Sequence, residues 1–445
     1  MPVISSSVSV SAINAHALTI AVAGNYLITG PTYLESESSY AVGVNAGIGP
    51  VTINLAGSIV ASLSYYGIYQ PGATDPLTVN ILSSGSIFGG AVVFATSQLA
   101  LTNDGYLYGQ DSGIASAPTA TTNDSVINRG EIFTTAGLAI DLGGGADVLV
   151  NSGHITGDVN LGVGDDRFYG GGGSVLGTLD LSTGNDLIDL RGAQIDGSVY
   201  GGDGNDVFIV DDASVDLIEY SAQGTDLVKS TVSYELRVNF ENLTLLGAGD
   251  INGTGNAAAN TLTGNAGDNR LHGYTGNDKA YGGSGDDVIY GDQGNDVLYG
   301  GIGVDLLYGG AGNDILRGET GEDRLIGGAG ADTLTGDVGT AGGYDDVFVF
   351  QRVADMPNAG SLDLITDFHI GEDKIDLSAI DAKAGTLAND AFSFVASFTS
   401  VAGQLIKQAS GLDTLILGDI NGDGVADFRI LLAGNVAVTA ADFIL

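Results

Sequence analysis

The chain has 445 residues, including 72 glycines and no cysteine or tryptophan, and its 14 basic against 54 acidic residues give a formal charge of −40. That charge argues against a nucleic-acid or anionic-membrane binder. The missing cysteine and a mere four histidines argue against disulfides and zinc. This much Gly and Asp with 7 prolines is neither collagen nor an ordinary globular domain.

The first thirty residues carry an apolar patch at 17–23 but no Lys or Arg, unlike a usual export signal. The first basic residue in the chain is Arg129. No apolar run is long enough to span a membrane. A glycine recurs two positions ahead of an aliphatic residue in Gly57-Ser58-Ile59, Gly85-Ser86-Ile87, Gly105-Tyr106-Leu107, Gly130-Glu131-Ile132, Gly153-His154-Ile155 and Gly173-Ser174-Val175. The steps are 28, 20, 25, 23 and 20 residues. Asn103, Asn128 and Asn151 each stand two residues before such a glycine, as in stacked turns. Val51-Thr52-Ile53-Asn54-Leu55 alternates like a strand. Residues 1–141 are therefore expected to form a right-handed parallel β-helix. Tyr65, Tyr66, Tyr69, Tyr106 and Tyr108 on its surface can stack on one another or on sugars.

From 142 to 210 the coils gain a new turn. Gly145-Ala146-Asp147, Gly164-Asp165-Asp166, Gly184-Asn185-Asp186 and Gly204-Asn205-Asp206 share the pattern G-x-D, each followed two residues on by Leu149, Phe168, Ile188 or Phe208. Steps of 19, 20 and 20 make one such turn per coil, so Asp147, Asp166, Asp186 and Asp206 should stack on a single edge and bind calcium there. Residues 211–254 interrupt the period and read as a connecting β segment, with strands near 232–236 and 241–245.

Nine nine-residue units then run without a gap over 255–335, within a segment 255–343. One reads Gly282-Gly283-Ser284-Gly285-Asp286-Asp287-Val288-Ile289-Tyr290. The pattern is G-G-x-G-x-D-x-U-x, with U a large apolar residue. Position eight, inward on a short strand, is Leu262, Leu271, Ala280, Ile289, Leu298, Leu307, Leu316, Leu325 and Leu334 in turn. Two units make one coil, so units of like parity stack 18 residues apart. That places Asp278, Asp296, Asp314 and Asp332 on one edge and Asp287, Asp305 and Asp323 on the other. Carboxylates one strand spacing apart repel unless a hard cation with oxygen ligands lies between them, and calcium suits such irregular, carbonyl-rich shells. A salt-adapted acidic surface would scatter both acids, whereas here Asp outnumbers Glu 45 to 9 and keeps phase with Gly. Asn260 and Asn269 replace Asp in the first two units, where binding should be weak or absent.

This array resembles the repeats-in-toxin (RTX) family of calcium-binding β-rolls. In that family the position-six Asp and the loop carbonyls hold calcium between successive turns, and the resemblance carries those roles to the seven aspartates just named. The stretch 238–264 is similar to lead-in segments of bacterial RTX proteins. The coils at 142–210 combine a pectin-lyase-like length with calcium turns.

Residues 344–445 change character, with longer strands and higher hydrophobic density. Asp363-Leu364-Ile365-Thr366-Asp367-Phe368, Gly371-Glu372-Asp373-Lys374-Ile375-Asp376-Leu377-Ser378 and the final Asp442-Phe443-Ile444-Leu445 resemble the C-terminal domain of serralysin metallopeptidases. The resemblance implies a roll capped by a β-rich domain, an uncleaved C-terminal signal, and export by type I secretion machinery from a Gram-negative cell. Within it, Asp419-Ile420-Asn421-Gly422-Asp423-Gly424-Val425-Ala426-Asp427 has calcium-loop spacing, with Asp419, Asn421, Asp423 and Asp427 as side-chain ligands. Ile430 stands where an EF-hand has Glu, and a polar turn between strands is the alternative.

No catalytic motif accompanies these repeats. H-E-x-x-H and G-x-S-x-G are absent, and His16, His154, His272 and His369 are isolated. A β-helix joined to RTX repeats is also similar to alginate epimerases and pectate-type lyases, but 1–128 lacks the cations a polyuronate needs. The expected fold is all-β: a parallel β-helix continuing into a calcium-binding β-roll with a C-terminal cap. The expected function is that of a secreted, non-enzymatic surface, matrix or adhesive protein that folds on calcium. Its expected partners are calcium, the exporter, and cell-surface glycans or further copies of itself. A carbohydrate-active or glycan-binding β-helix is the alternative.

Overall fold

The computed structural model describes residues 40–445 apart from 62–63, 73, 118–120, 338–342, 357–359 and 384–389. Before residue 40 it describes the short strands Val3–Ile4, Leu18–Ile20, Gly24–Ile28 and Tyr33–Ser36. The expected apolar patch at 17–23 and His16 fall largely or wholly outside the described residues. Among the described residues there is no α-helix. Two single 3-10 turns occur, at Val353–Asp355 and Ala440–Asp442. No helix is long and apolar enough to cross a membrane. The chain forms two compact units, Met1–Val228 and Lys229–Leu445.

In the first unit successive coils add to two parallel sheets, some giving the second sheet two short strands, as Ser174–Leu176 and Leu179–Asp180 do. One sheet stacks Val51–Leu55, Leu77–Ile81, Leu99–Asn103, Ser125–Asn128, Val148–Asn151, Arg167–Tyr169, Leu187–Asp189 and Val207–Val210. Its inward column is Ile53, Val79, Leu101, Val126, Leu149, Phe168, Ile188 and Phe208, each at most 1% exposed. The glycine-led motifs build the other sheet, where Ser58 pairs with Ser86, Ser86 with Tyr106, Tyr106 with Glu131, Glu131 with His154, and His154 with Ser174. The asparagines two residues ahead of the glycines are buried in a side-chain ladder, Asn103 donating to Asn128 and Asn128 to Asn151, both at 2.8 Å. Register is thus held by an apolar column inside and amide pairs at the turn.

The second unit repeats the scheme at a shorter period. Lys279–Ser284, Val297–Ile302, Ile315–Thr320 and Thr333–Asp337 stack in one sheet, and Val288–Gln293, Leu306–Ala311 and Arg324–Ala329 in the other. The position-eight residues are at most 1% exposed. Tyr281 stacks on Tyr299 with centroids 4.8 Å apart, and Tyr290 on Tyr308 at 4.7 Å. These tyrosines therefore serve one another, as do Tyr66 and Tyr69 in the first unit at 4.7 Å.

Two segments that read as breaks in the sequence are built as coils. Within 211–254, Asn242–Leu245 pairs with Thr261–Thr263, and Tyr234–Glu235 with Gly253–Thr254. The repeat is lost there from the turns and kept in the strands. Beyond 343, Val347–Val349, Lys374–Asp376 and Phe443–Ile444 extend one sheet of the roll, and Asp363–Ile365 and Phe428–Leu432 extend the other. An antiparallel meander of Gln404–Ser410, Asp413–Asp419 and Phe428–Leu432 closes that sheet.

Candidate metal centre

A turn that reverses the chain within four residues needs backbone that only glycine adopts at low cost. At position four, Gly294 has φ +140°, and a side chain there would strike the carbonyl of Gly276 one coil away. This close approach brings each position-six aspartate against the neighbouring coil.

The aspartates form three columns. On one edge of the roll the amide of Asn260 donates to Asp278 Oδ1 (2.7 Å), Asp278 to Asp296 (2.7 Å), Asp296 to Asp314 (2.8 Å) and Asp314 to Asp332 (2.9 Å). On the other, Asn269 donates to Asp287 (2.7 Å), Asp287 to Asp305 and Asp305 to Asp323 (both 2.8 Å). In the first unit Asp147 donates to Asp166 (2.7 Å), Asp166 to Asp186 (2.6 Å) and Asp186 to Asp206 (2.7 Å). These eleven side chains are at most 2% exposed. In every one of them Oδ1 is held by a backbone amide, while Oδ2 is buried without any hydrogen-bond partner.

Buried carboxylate oxygens without donors are costly, and here they recur with the period of the fold. Glycine at position one opens the space that Oδ2 faces. A side chain at Gly282 would collide with Asp287 Oδ2 and the carbonyl of Gly300, and one at Gly291 would meet Asp296 Oδ2 and the carbonyl of Gly309. Carboxylate and carbonyl oxygens from successive coils therefore converge, an all-oxygen donor set that fits a hard cation such as calcium. Among the described residues no lysine or arginine pairs with any of the eleven. The roll's cations lie on its outer faces instead, Arg270 over Tyr290 and Arg317 over Tyr299.

Electrostatics follow from burial. It pushes Asp287, Asp314 and Asp323 up to about 7, and Asp278, Asp305 and Asp332 up to about 6. Asp147 and Asp186 rise to about 8, and Asp166 and Asp206 to about 7. Asp296 is raised as well. Neighbouring carboxylates add to the effect at most of these positions, while the amide hydrogen bonds partly oppose it.

The columns begin on groups with nothing left over. Asn260 and Asn269 turn their Nδ2 to carbonyls, of Phe240 at 3.1 Å and Ile251 at 2.7 Å, and bring no charge. Asp124, which donates to Asp147 Oδ1, has its own oxygens on the Leu99 amide and the Ser116 hydroxyl. The sequence reading passed over several members. Asp226 accepts from Asp206 (2.8 Å), Asp346 from Asp323 (2.9 Å), Asp363 from Asp332 (2.9 Å), and Asp373 from Asp346 (3.2 Å). Asp226 does carry the signature, as Gly224-Thr225-Asp226-Leu227-Val228, one step of 20 beyond Asp206. Asp346 and Asp363 lie 23 and 31 residues from their partners, off the 18-residue period.

The loop 419–427 is built differently. Asp419 accepts from the amides of Gly422 (2.7 Å) and Gly424 (2.9 Å), Asn421 from that of Asp423 (2.8 Å), Asp423 from that of Val425 (2.8 Å), and Asp427 from that of Ile420 (2.7 Å). Its side chains accept amides of their own loop, and Gly422 and Gly424 take φ of +77° and +84°, so the four residues expected as calcium ligands are gathered in one turn.

Comparison with known proteins agrees with the repeat geometry. Residues 198–212, 254–287, 272–307, 281–316 and 308–340 match the RTX calcium-binding nonapeptide repeat. A stretch of 95 residues, 21% of the chain, is 40% identical to Metalloprotease AprA of Pseudomonas entomophila and takes in 19% of that protein. A stretch of equal length is 42% identical to Metallopeptidase AprA of Pseudomonas marginalis, 18% of whose length it covers. The chain thus spans about a fifth of the relatives it matches. Among solved structures, the AlgE6R2 subunit of the Azotobacter vinelandii mannuronan C5-epimerase aligns over 41% of this chain and 91% of its own (25% identity, TM-score 0.18). The AlgE6R3 subunit of the same enzyme aligns over 45% and 80% (20% identity, TM-score 0.21). The chain carries RTX repeats, and these bind calcium.

Proposed function

We propose that this RTX-repeat protein is a secreted, non-enzymatic component of a bacterial surface or matrix that acquires its fold by taking up calcium outside the cell. The observation that carries the reading is the row of buried aspartate oxygens lacking hydrogen-bond donors, one per turn on three edges. We assign the eleven aspartates as the calcium ligands, each sharing an ion with carbonyls of the adjacent coil. Without the cation, buried carboxylates oppose stacking, and −40 of charge on a glycine-rich chain opposes collapse. With millimolar calcium, binding free energy becomes folding free energy. A chain held open where calcium is scarce suits a type I exporter, and likeness to a Pseudomonas metalloprotease at the repeat region supports that route from a Gram-negative cell. The loop 419–427, with Asp419, Asn421, Asp423 and Asp427 gathered in one turn, is assigned as a further calcium turn, while the edges carry the reading.

A second reading has one observation behind it. The first unit bears an open cleft of about 530 Å³ lined by Ser84, Asp104, Tyr106, Arg129, Glu131 and His154. Arg129 is committed to Asp104 at 3.0 Å, and the remaining acid, Glu131, disfavours polyuronates, so a neutral glycan is the ligand that cleft fits.

Circular dichroism and hydrodynamic radius of the full chain, with and without calcium, test the main reading. The expected result is a chain that in chelator is looser, poorer in β signal and melts at a lower temperature, and that compacts and gains β signal at millimolar calcium. In an Asp296→Ala/Asp314→Ala variant the transition should shift to higher calcium by at least about tenfold, the scale of one lost charged ligand. A compact, β-rich chain in chelator, unchanged by calcium, would overturn it.

A further inference from the structure

In the first unit the residues that follow the second-sheet strands form an inward column. Register places Leu142, Leu161, Leu181, Gly201 and Glu219 one above another. The three leucines are fully buried. At Gly201 the column loses its side chain, and the Glu219 carboxyl reaches back into the space. Glu219 is 4% exposed, and its Oε1 accepts from the Gly201 amide at 3.1 Å. A side chain at Gly201 would collide with both Glu219 Oε1 and Asp206 Oδ2. Asp226 joins from the next turn, its Oδ1 on the Asp206 amide at 2.8 Å. One oxygen each from Asp206, Glu219 and Asp226 lies within 4.8 Å of the other two, and all three residues are buried.

We infer that Asp206, Glu219 and Asp226 form a further hard-divalent-cation site of calcium type, distinct from the one-carboxylate turns of the ladders. Asp206, 1% exposed, aims into the cluster an Oδ2 that has no hydrogen-bond partner. The charges acting on Glu219 include those of Asp226 and Asp206, both negative. A glutamate at the end of a leucine column, given room by a glycine in the coil below, is placed at a cost that packing alone does not return. A dication removes that cost. Three carboxylates supply more charge than one carboxylate with carbonyls, and calcium affinity rises with ligand charge. This site therefore fills before the turns of its own unit. The inference rests on the reading that the ladders take calcium, and its test separates the two.

Equilibrium dialysis of the full chain at low free calcium, paired with thermal melts in chelator and in calcium, decides it. Glu219→Gln keeps the shape and removes one charge. It should bind one ion fewer than the unsubstituted chain and show a smaller calcium-induced rise in melting temperature, while melting at least as high in chelator. Asp226→Asn should behave alike, and it decides the matter if Glu219→Gln does not fold. Asp296→Asn serves as the roll control. If the control loses calcium but Glu219→Gln and Asp226→Asn retain the full count and the full calcium-induced rise, this site is refuted and the ladders stand. If the unsubstituted chain binds no calcium, both readings fall.

Discussion

Each repeat aspartate divides its two oxygens between two tasks. Oδ1 accepts the amide of the preceding coil, which fixes the carboxylate plane. Oδ2 is left facing carbonyls across a gap that only a position-one glycine leaves open. Gly282→Ala places a methyl group against Asp287 Oδ2 and the Gly300 carbonyl, and it should destabilise the calcium-loaded roll by about 2 kcal/mol, in the range of overpacking. Melting in saturating calcium measures this, and an unchanged midpoint would show that Oδ2 does not need the space. At this scale the sequence was informative wherever the period was regular. Position six named the aspartates and position eight named the core, because an 18-residue coil makes sequence phase equal to spatial column. Glu219 was not legible, since its meaning depends on Gly201 lying beneath it, a relation of register between coils of unequal length.

At the level of the coil, the edges set the pH response. An acid whose folded pKa lies above its unfolded value of about 4 holds its proton more tightly in the fold. Protonation then stabilises the metal-free fold, fully below pH 4, and that stability is lost as pH rises through the folded values of about 6 to 8. Metal-free protein should therefore melt at a higher temperature at pH 5 than at pH 8. With calcium bound the order should reverse, because the ion competes with protons for the same oxygens. Calcium uptake at pH 6 should accordingly release protons, which calorimetry in buffers of different ionisation enthalpy would register. Equal melting at both pH values without metal would show that these carboxylates are solvated. The coils at 211–254 and beyond 343 were the part of the fold that period reading could not see. Their strands keep the inward residue but their turns vary in length, so the columns persist while the spacing does not.

For the whole molecule, composition bounded the class and left the architecture to the repeats. The charge of −40 and the absence of cysteine pointed to metal as the cross-link, and the buried oxygens place the demand for it on inner edges and away from the outer faces. The outer faces carry aromatic stacks and cations such as Arg270 and Arg317, so the proposed ions and a partner would not compete for the same surface.

The second unit's roll has two like edges and strands that return every 18 residues, and this gives its length a unit of counting. Excising 282–299, one full circuit, should rejoin Tyr281 to Gly300 with every later strand on its proper sheet, and the shortened protein should still fold in calcium. Excising 282–290 alone removes half a circuit and sends each later segment, the meander included, to the opposite side. Such rolls can thus grow or shrink by whole circuits, while the half-step is closed to them, and comparing the solubility and calcium response of the two deletions would expose that rule.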